Sequence, residues 1–155
     1  MDSKTTLAMD KKFSLFNDDL MNFGATYSSV LLFSEKNKVL FSKSSNPEWG
    51  EEFTSSGLYQ HCHLLNEAKS QMQLNQSSFT LVWDLYKPIS DQARELDEIR
   101  KYKNITHGVG FCITNRDGSR IILSVAGKYA DCNFGLSILK NRIAVFKSLR
   151  QFVSI

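Results

Sequence analysis

Three consecutive residues, His61-Cys62-His63, bring together the most reactive side chains of this 155-residue chain. A cysteine between two imidazoles offers two chemistries: a nucleophilic thiolate with a histidine base, or a metal site. The spacing speaks against both. On a helix, adjacent side chains diverge by about 100°, so three in a row cannot converge on one ion. The pattern also matches no zinc-ligand spacing. A Cys–His catalytic pair would need Cys62 to meet His107 through the fold, with an Asp or Asn orienting the imidazole. The alternative is a buried thiol flanked by two surface imidazoles. The chain has no glycine-rich phosphate loop, no Gly-x-Ser-x-Gly elbow and no specific paired-carboxylate motif. No catalytic residue, metal ligand or cofactor is assigned, and the protein is not expected to be an enzyme.

A second group of residues points to binding. From His107 to Ala126 two β-prone runs, Val109 to Thr114 and Arg120 to Val125, flank Asn115-Arg116-Asp117-Gly118. The Asp-Gly pair supplies the positive φ of a tight hairpin. A small residue, Gly108, stands at the hairpin's entry, and a lone hydroxyl, Ser124, sits inside an otherwise apolar strand. Such strands pack core, or form one wall of a ligand pocket. The aromatic residues Trp49, Phe53, Tyr59, Phe79 and Trp83 carry the same two readings, core or pocket wall.

These residues need elements to position them. Residues 1–10 are polar and read as a flexible N-terminus, and 11–155 as one domain. Phe13, Phe16, Leu20 and Phe23 recur at spacings of three and four, which predicts a helix over 11–23 stopped by Gly24. Strands are predicted over 27–33 and 39–41, joined by a turn at Glu35-Lys36-Asn37-Lys38. Pro47 opens a short helix through Trp49 and Phe53, and a longer helix spans about 58–72. A polar linker, 73–78, leads to a strand over 79–83. Ser90 caps a helix to about Tyr102, with Ile89, Ala93, Leu96 and Ile99 on its apolar side and charges on the solvated side. The closing hairpin follows, and then a last helix over 131–152 with Leu136, Leu139, Ile143, Phe146 and Leu149 as its stripe. The expected fold class is α+β: an α-β-α sandwich with a five-stranded antiparallel sheet, hairpins at both ends, of the PAS and GAF sensor kind.

Composition narrows the function further. A hydrophobic fraction of 42% and a charged fraction of 23% are those of an ordinary globular protein. The net charge of +3 is modest and the basic residues are interleaved with acids, so no stripe tracks a phosphate backbone and no direct DNA contact is expected. Cys62, Cys112 and Cys132 are odd in number and lack a C-x-x-C pair, which favours reduced thiols and a cytoplasmic location. No apolar run is long enough for a signal peptide or a membrane span.

Taken in order, several segments resemble the autoinducer-binding domain of LuxR-type quorum-sensing transcription regulators, over about 11–152. Pro47-Glu48-Trp49, Phe53 and Gly57-Leu58 resemble the family's Pro-x-x-Trp-x-x-x-Tyr segment with its trailing glycine. Cys62-His63-Leu64-Leu65 stands where the family has Asp-Pro-Val-Val, and Phe79 to Asp84 resembles its Phe-x-Trp strand. His107-Gly108-Val109, Asp117-Gly118 and Leu123-Ser124-Val125-Ala126 are similar to its closing hairpin. The resemblance implies a bacterial ligand sensor, with ligand-binding residues Trp49, Phe53, Cys62, Phe79, Trp83 and Ser124. Trp83 would donate its indole N–H to a ligand carbonyl, Ser124 would add a hydroxyl, and Gly108 would permit close packing at the pocket.

Two positions depart from the family pattern: its pocket carboxylate falls on Cys62 and its tyrosine on Phe53. A thiol is a weak acceptor and phenylalanine has none. A buried amide left unpaired costs about 1–3 kcal/mol, roughly 10- to 200-fold in affinity. The 73–78 linker is also longer than the family's. The expected ligand is therefore a small hydrophobic signal other than a standard acyl-homoserine lactone, as in an orphan regulator. The family's helix-turn-helix domain is not expected within 11–155. The expected partners are that signal and a second copy, or a LuxR-type regulator. The alternatives are a ligand-free interaction module that dimerises with and silences a full-length regulator, and, more remotely, a Cys-dependent enzyme or redox sensor.

Overall fold

Spacings of three and four build the first helix, and the alternation of period two builds the strands. The computed structural model describes residues 2–74 and 77–153, so positions 75 and 76 of the expected 73–78 linker lie outside the described residues. Helix α1 (Ser3–Asn22) buries Met9, Phe13, Phe16 and Leu20. It begins at Ser3 rather than at Lys11, because the Asp2 carboxylate accepts the Thr5 N–H at 2.7 Å and caps the first turn. Gly24 ends it, as expected. The N–H groups of Gly24 and Ala25 bond back to the carbonyls of Met21 and Leu20, a Schellman closure that needs the left-handed φ of Gly24.

The sheet contains β1 (Tyr27–Phe33), β2 (Val39–Ser44), β3 (Ser78–Val82), β4 (Thr106–Thr114) and β5 (Arg120–Gly127) in the order β2-β1-β5-β4-β3, every pair antiparallel. The expected five-stranded α+β sandwich is found. The closing hairpin, however, lies in the middle of the sheet and not at an end. Its buried apolar residues alternate onto two helical layers, so both β4 and β5 must be covered on both faces. Asn115 accepts the Gly118 N–H at 3.0 Å in the connecting turn, with Gly118 at φ +84°.

Between the hairpins run α2 (Pro47–Ser55), a 3₁₀ turn (Leu58–His61), α3 (His63–Gln73), a second 3₁₀ turn (Trp83–Leu85) and α4 (Asp91–Tyr102), and the chain closes with α5 (Phe134–Lys140) and α6 (Arg142–Val153). Four expectations are corrected here. The helix expected over 58–72 is broken at Cys62, whose extended backbone (φ −76°, ψ 110°) separates the turn from α3. Trp83 leaves the strand and opens a 3₁₀ turn. Ile89 is 86% exposed, because it precedes the Ser90 cap and lies outside the helix phase. The last helix is interrupted at Asn141, which resets the phase of its stripe: Leu136 and Ile143 are 63% and 78% exposed, while Ile138, Val145, Leu149 and Phe152 turn inward.

Two cores result. Residues from α1, α5 and α6 pack on one face of the sheet against Val30, Leu32, Val109, Phe111, Ile121, Leu123 and Val125. The opposite face carries Tyr27, Leu31, Phe33, Leu81, Cys112, Ile122 and Ala126, covered by α2, α3 and α4.

Candidate functional site

One row of paired residues crosses all five strands on the α2–α4 face: Ser44, Ser29, Ser124, Gly110 and Leu81. Partners in an antiparallel pair share a face, so this row puts the small Ser44, Ser29, Ser124 and Gly110 under the helices, where the next row carries Leu31, Ile122, Cys112 and Phe79. The space it leaves is a cavity of about 50 Å³. Its floor is Tyr27, Ser29, Leu31, Leu81, Gly110, Ile122 and Ser124, and its roof is Trp49, Phe53, Cys62, Leu64, Leu65, Ala68, Trp83, Arg100 and Ile105.

Of the residues singled out from the sequence, Trp49, Phe53, Cys62, Trp83 and Ser124 meet at this cavity. Phe79 does not line it. It pairs with Cys112, two residues along β3 from Leu81, and packs in the surrounding apolar cluster. Gly108 stands behind the cavity wall, where a Cβ would lie 2.6 Å from the Trp83 ring. The absence of a side chain at Gly108 lets the indole lie directly against β4. Trp49 and Phe53, one turn apart on α2, stack at 5.8 Å between ring centroids.

The sequence reading missed Arg100. It treated the charges of α4 as a solvated side, yet Arg100 is only 4% exposed and lines the cavity. Its position was legible: Ala93, Leu96 and Arg100 are spaced by three and four, so the buried stripe of α4 carries the guanidinium inward. Nη2 of Arg100 lies 2.6 Å from Cys62 Sγ, which also receives the Leu65 N–H at 3.4 Å as the cap of α3. Nη1 has no hydrogen-bond partner. Two rings flank the cation, Phe53 at 6.0 Å and Trp83 at 5.8 Å from their centroids. The other α4 cations pair on the surface, Arg94 with Asp91 and Lys101 with Asp97 and Glu98.

The electrostatics follow from burial. Burial pushes the Tyr27 phenol up in pKa, opposed by its hydrogen bonds with Ser29 and Ser44. Burial first, and then the Arg100 charge, holds the His63 imidazole below its ordinary range. Of the expected surface imidazoles, only His61 is exposed, and His63 Nδ1 is buried without a partner.

Outside the cavity lies a polar cleft of about 500 Å³ between α4 and the bulge of β4. Leu64, Trp83 and Ile105 line both spaces and form the partition between them. His107 lines the cleft at φ +52°, with Nδ1 2.8 Å from Asp84 Oδ2 and Nε2 2.8 Å from the Tyr129 carbonyl. Burial disfavours the imidazolium, but these hydrogen bonds and the Asp84 charge outweigh it and raise the His107 pKa. His107 thus joins Asp84 and Tyr129, whereas Cys62 joins Arg100 and Leu65. Cys62, Cys112 and Cys132 are free, and burial pushes the Cys112 thiol up to about 12. Among the described residues, no group of three His, Cys, Asp or Glu side chains is placed to hold a metal ion, and no helix is long and apolar enough to cross a membrane.

No protein-family model matches the sequence, and no curated protein matches it. Solved structures do match the fold. SdiA in complex with octanoyl-rac-glycerol is 15% identical with a TM-score of 0.63, covering 97% of this chain and 59% of that one. SdiA from Escherichia coli is 14% identical with a TM-score of 0.59, covering 100% of this chain and 66% of that one. CepR2 from Burkholderia cenocepacia, described as an N-acylhomoserine lactone dependent LuxR family transcriptional factor, is 14% identical with a TM-score of 0.60, covering 97% and 93%. The chain thus spans less than two thirds of either SdiA chain. The resemblance to LuxR-type autoinducer-binding domains holds at the level of the fold.

Proposed function

We propose that this chain, which has the fold of the LuxR-family sensors, is a signal-sensing domain that encloses a small amphipathic molecule between its sheet and helices α2 to α4. One observation carries this: the small-residue row on the sheet meets Trp49, Phe53, Trp83 and a buried polar cluster around a single cavity. That combination of apolar walls and a few convergent polar groups is how ligand pockets are built. Drug-sized ligands need roughly 300–1,000 Å³, far more than the cavity's 50 Å³. Moving the partition of Leu64, Trp83 and Ile105 joins the cavity to the 500 Å³ cleft, so entry from the cleft supplies the volume.

The ligand is other than a standard acyl-homoserine lactone. Cys62 and Phe53 stand in the lining without the carboxylate and hydroxyl that would hold a lactone's amide. The domain acts noncovalently, as a cytoplasmic orphan sensor of a transcription regulator. Leu7, Leu15 and Ile143 are exposed on α1 and α6, and support dimerisation through that layer, with a second copy or with a LuxR-type regulator. A ligand-free interaction module that pairs through the same layer with a full-length regulator and silences it is the second reading, and the small size of the cavity favours it.

Thermal unfolding with octanoyl-rac-glycerol and a series of acyl-homoserine lactones tests the proposal, alongside mass spectrometry of co-purified small molecules. A ligand at a hundred times its Kd stabilises by about 2.7 kcal/mol, which raises the Tm of a domain this size by roughly 5–10 °C. A saturable rise with a neutral amphiphile supports the sensor. No shift with any of these compounds or with the corresponding free acids, and no bound molecule, leaves the interaction module.

A further inference from the structure

Among the described residues, Arg100 is a buried cation with no carboxylate beside it. A buried charge is costly unless paired and hydrogen-bonded. Among the described residues no carboxylate lies within ion-pair distance of it, while Arg94 and Lys101 of the same helix pair with Asp91, Asp97 and Glu98 at the surface. Among the described residues it donates to the Cys62 sulfur, a weak acceptor, and Nη1 has no partner. The side chain is 4% exposed and faces the cavity, between the rings of Phe53 and Trp83.

We infer that the cavity takes a small carboxylic acid in its ionised form, the acid group held by Arg100 and the apolar body by Trp49, Phe53 and Leu64. This rests on the sensor proposal and names its ligand class. The planar guanidinium fork matches a carboxylate, which accepts from both of its nitrogens. The charges balance one to one, so a monoanion neutralises the site where a phosphate dianion would leave an uncompensated charge. The hydroxyl of Ser124 on the floor is a further donor for a carboxylate oxygen. Cys62 then has a physical role: with an aspartate at that position Arg100 would be neutralised from within the protein, whereas a thiol leaves its charge to the ligand.

Calorimetric titration of the chain with octanoate and phenylacetate, each against its methyl ester, decides the matter. The expected result is that at least one acid binds about 10- to 100-fold more tightly than its ester. Arg100→Gln collapses that difference. If this variant does not fold, the acid-to-ester ratio of the unaltered chain still decides. Esters that bind as tightly as their acids, or an Arg100→Gln chain that keeps the preference, overturn the inference. Esters or octanoyl-rac-glycerol binding while the acids do not contradicts the carboxylate and leaves the sensor standing. Silence from acids, esters and octanoyl-rac-glycerol alike contradicts both.

Discussion

The two faces of one sheet are built from the same strands and solved differently. Against α1, α5 and α6 the strands present Val30, Phe111, Ile121, Leu123 and Val125, all without solvent exposure. Phe111 meets Phe146 edge to face at 5.2 Å. Against α2, α3 and α4 the same strands present Ser29, Ser124 and Gly110 in one row, under a roof that carries Arg100. The first face maximises apolar contact. The second gives up contact and accepts a buried charge, a departure from local rules of the kind that marks functional sites. The asymmetry is written at alternate positions of single strands: Leu123 and Val125 face the solid core, and Ser124 between them faces the cavity.

Substitutions separate the two faces by size of effect. Phe111→Ala empties the solid face and is expected to cost about 3–5 kcal/mol in urea unfolding. Ser124→Ala, one strand over on the cavity face, is expected to cost under about 1 kcal/mol while weakening ligand binding. Equal costs would erase the distinction. Two glycines on β4 sharpen it further. Gly108→Ala drives a Cβ into the Trp83 ring and is expected to destabilise by about 1–3 kcal/mol, with a shift in tryptophan emission. At Gly110 a Cβ would sit 3.5 Å from Leu81 Cβ, an ordinary contact, so Gly110→Ala is expected to be neutral or to stabilise by up to about 1 kcal/mol.

The smallest effect is one of pH. The His107 pKa is raised in the folded chain, so its stabilisation is complete below the unfolded value of about 6.5 and is lost as pH rises through the folded value. Because His107 ties the β4 bulge to Asp84, next to Trp83, the loss falls on the cavity face. His107→Asn removes the titration and tolerates the left-handed backbone. The unaltered chain should lose Tm relative to this variant as pH rises above about 6.5. Parallel profiles would show that His107 contributes nothing to the pH dependence.

How far the sequence carried depends on how local the signal was. The Asp117-Gly118 turn, the Pro47 helix start and the Ser90 cap are set by nearest neighbours, and all three stand where their residues placed them. Trp49, Cys62, Trp83 and Ser124 converge although distant in sequence, and it was their resemblance to a family pattern that grouped them. Arg100 was missed because its charge outweighed its spacing: by period it belongs with Ala93 and Leu96, by composition with its solvated neighbours. The break at Asn141 was also hidden, since a two-helix end reads as one long stripe until the phase reset is seen. Phe79 fails for the opposite reason. It lies on the right face, but one row too far along β3.

The chain has two tryptophans, and both line the cavity. Tryptophan emission therefore reports on the cavity and its partition from the cleft, which makes its titration with octanoate and octanoyl-rac-glycerol the most direct test of the central claim. The expected result is a saturable change in emission that Ser124→Trp, which fills the cavity from its floor and adds a fixed background, does not reproduce. Emission that stays constant with both compounds up to their solubility would contradict a ligand site on this face.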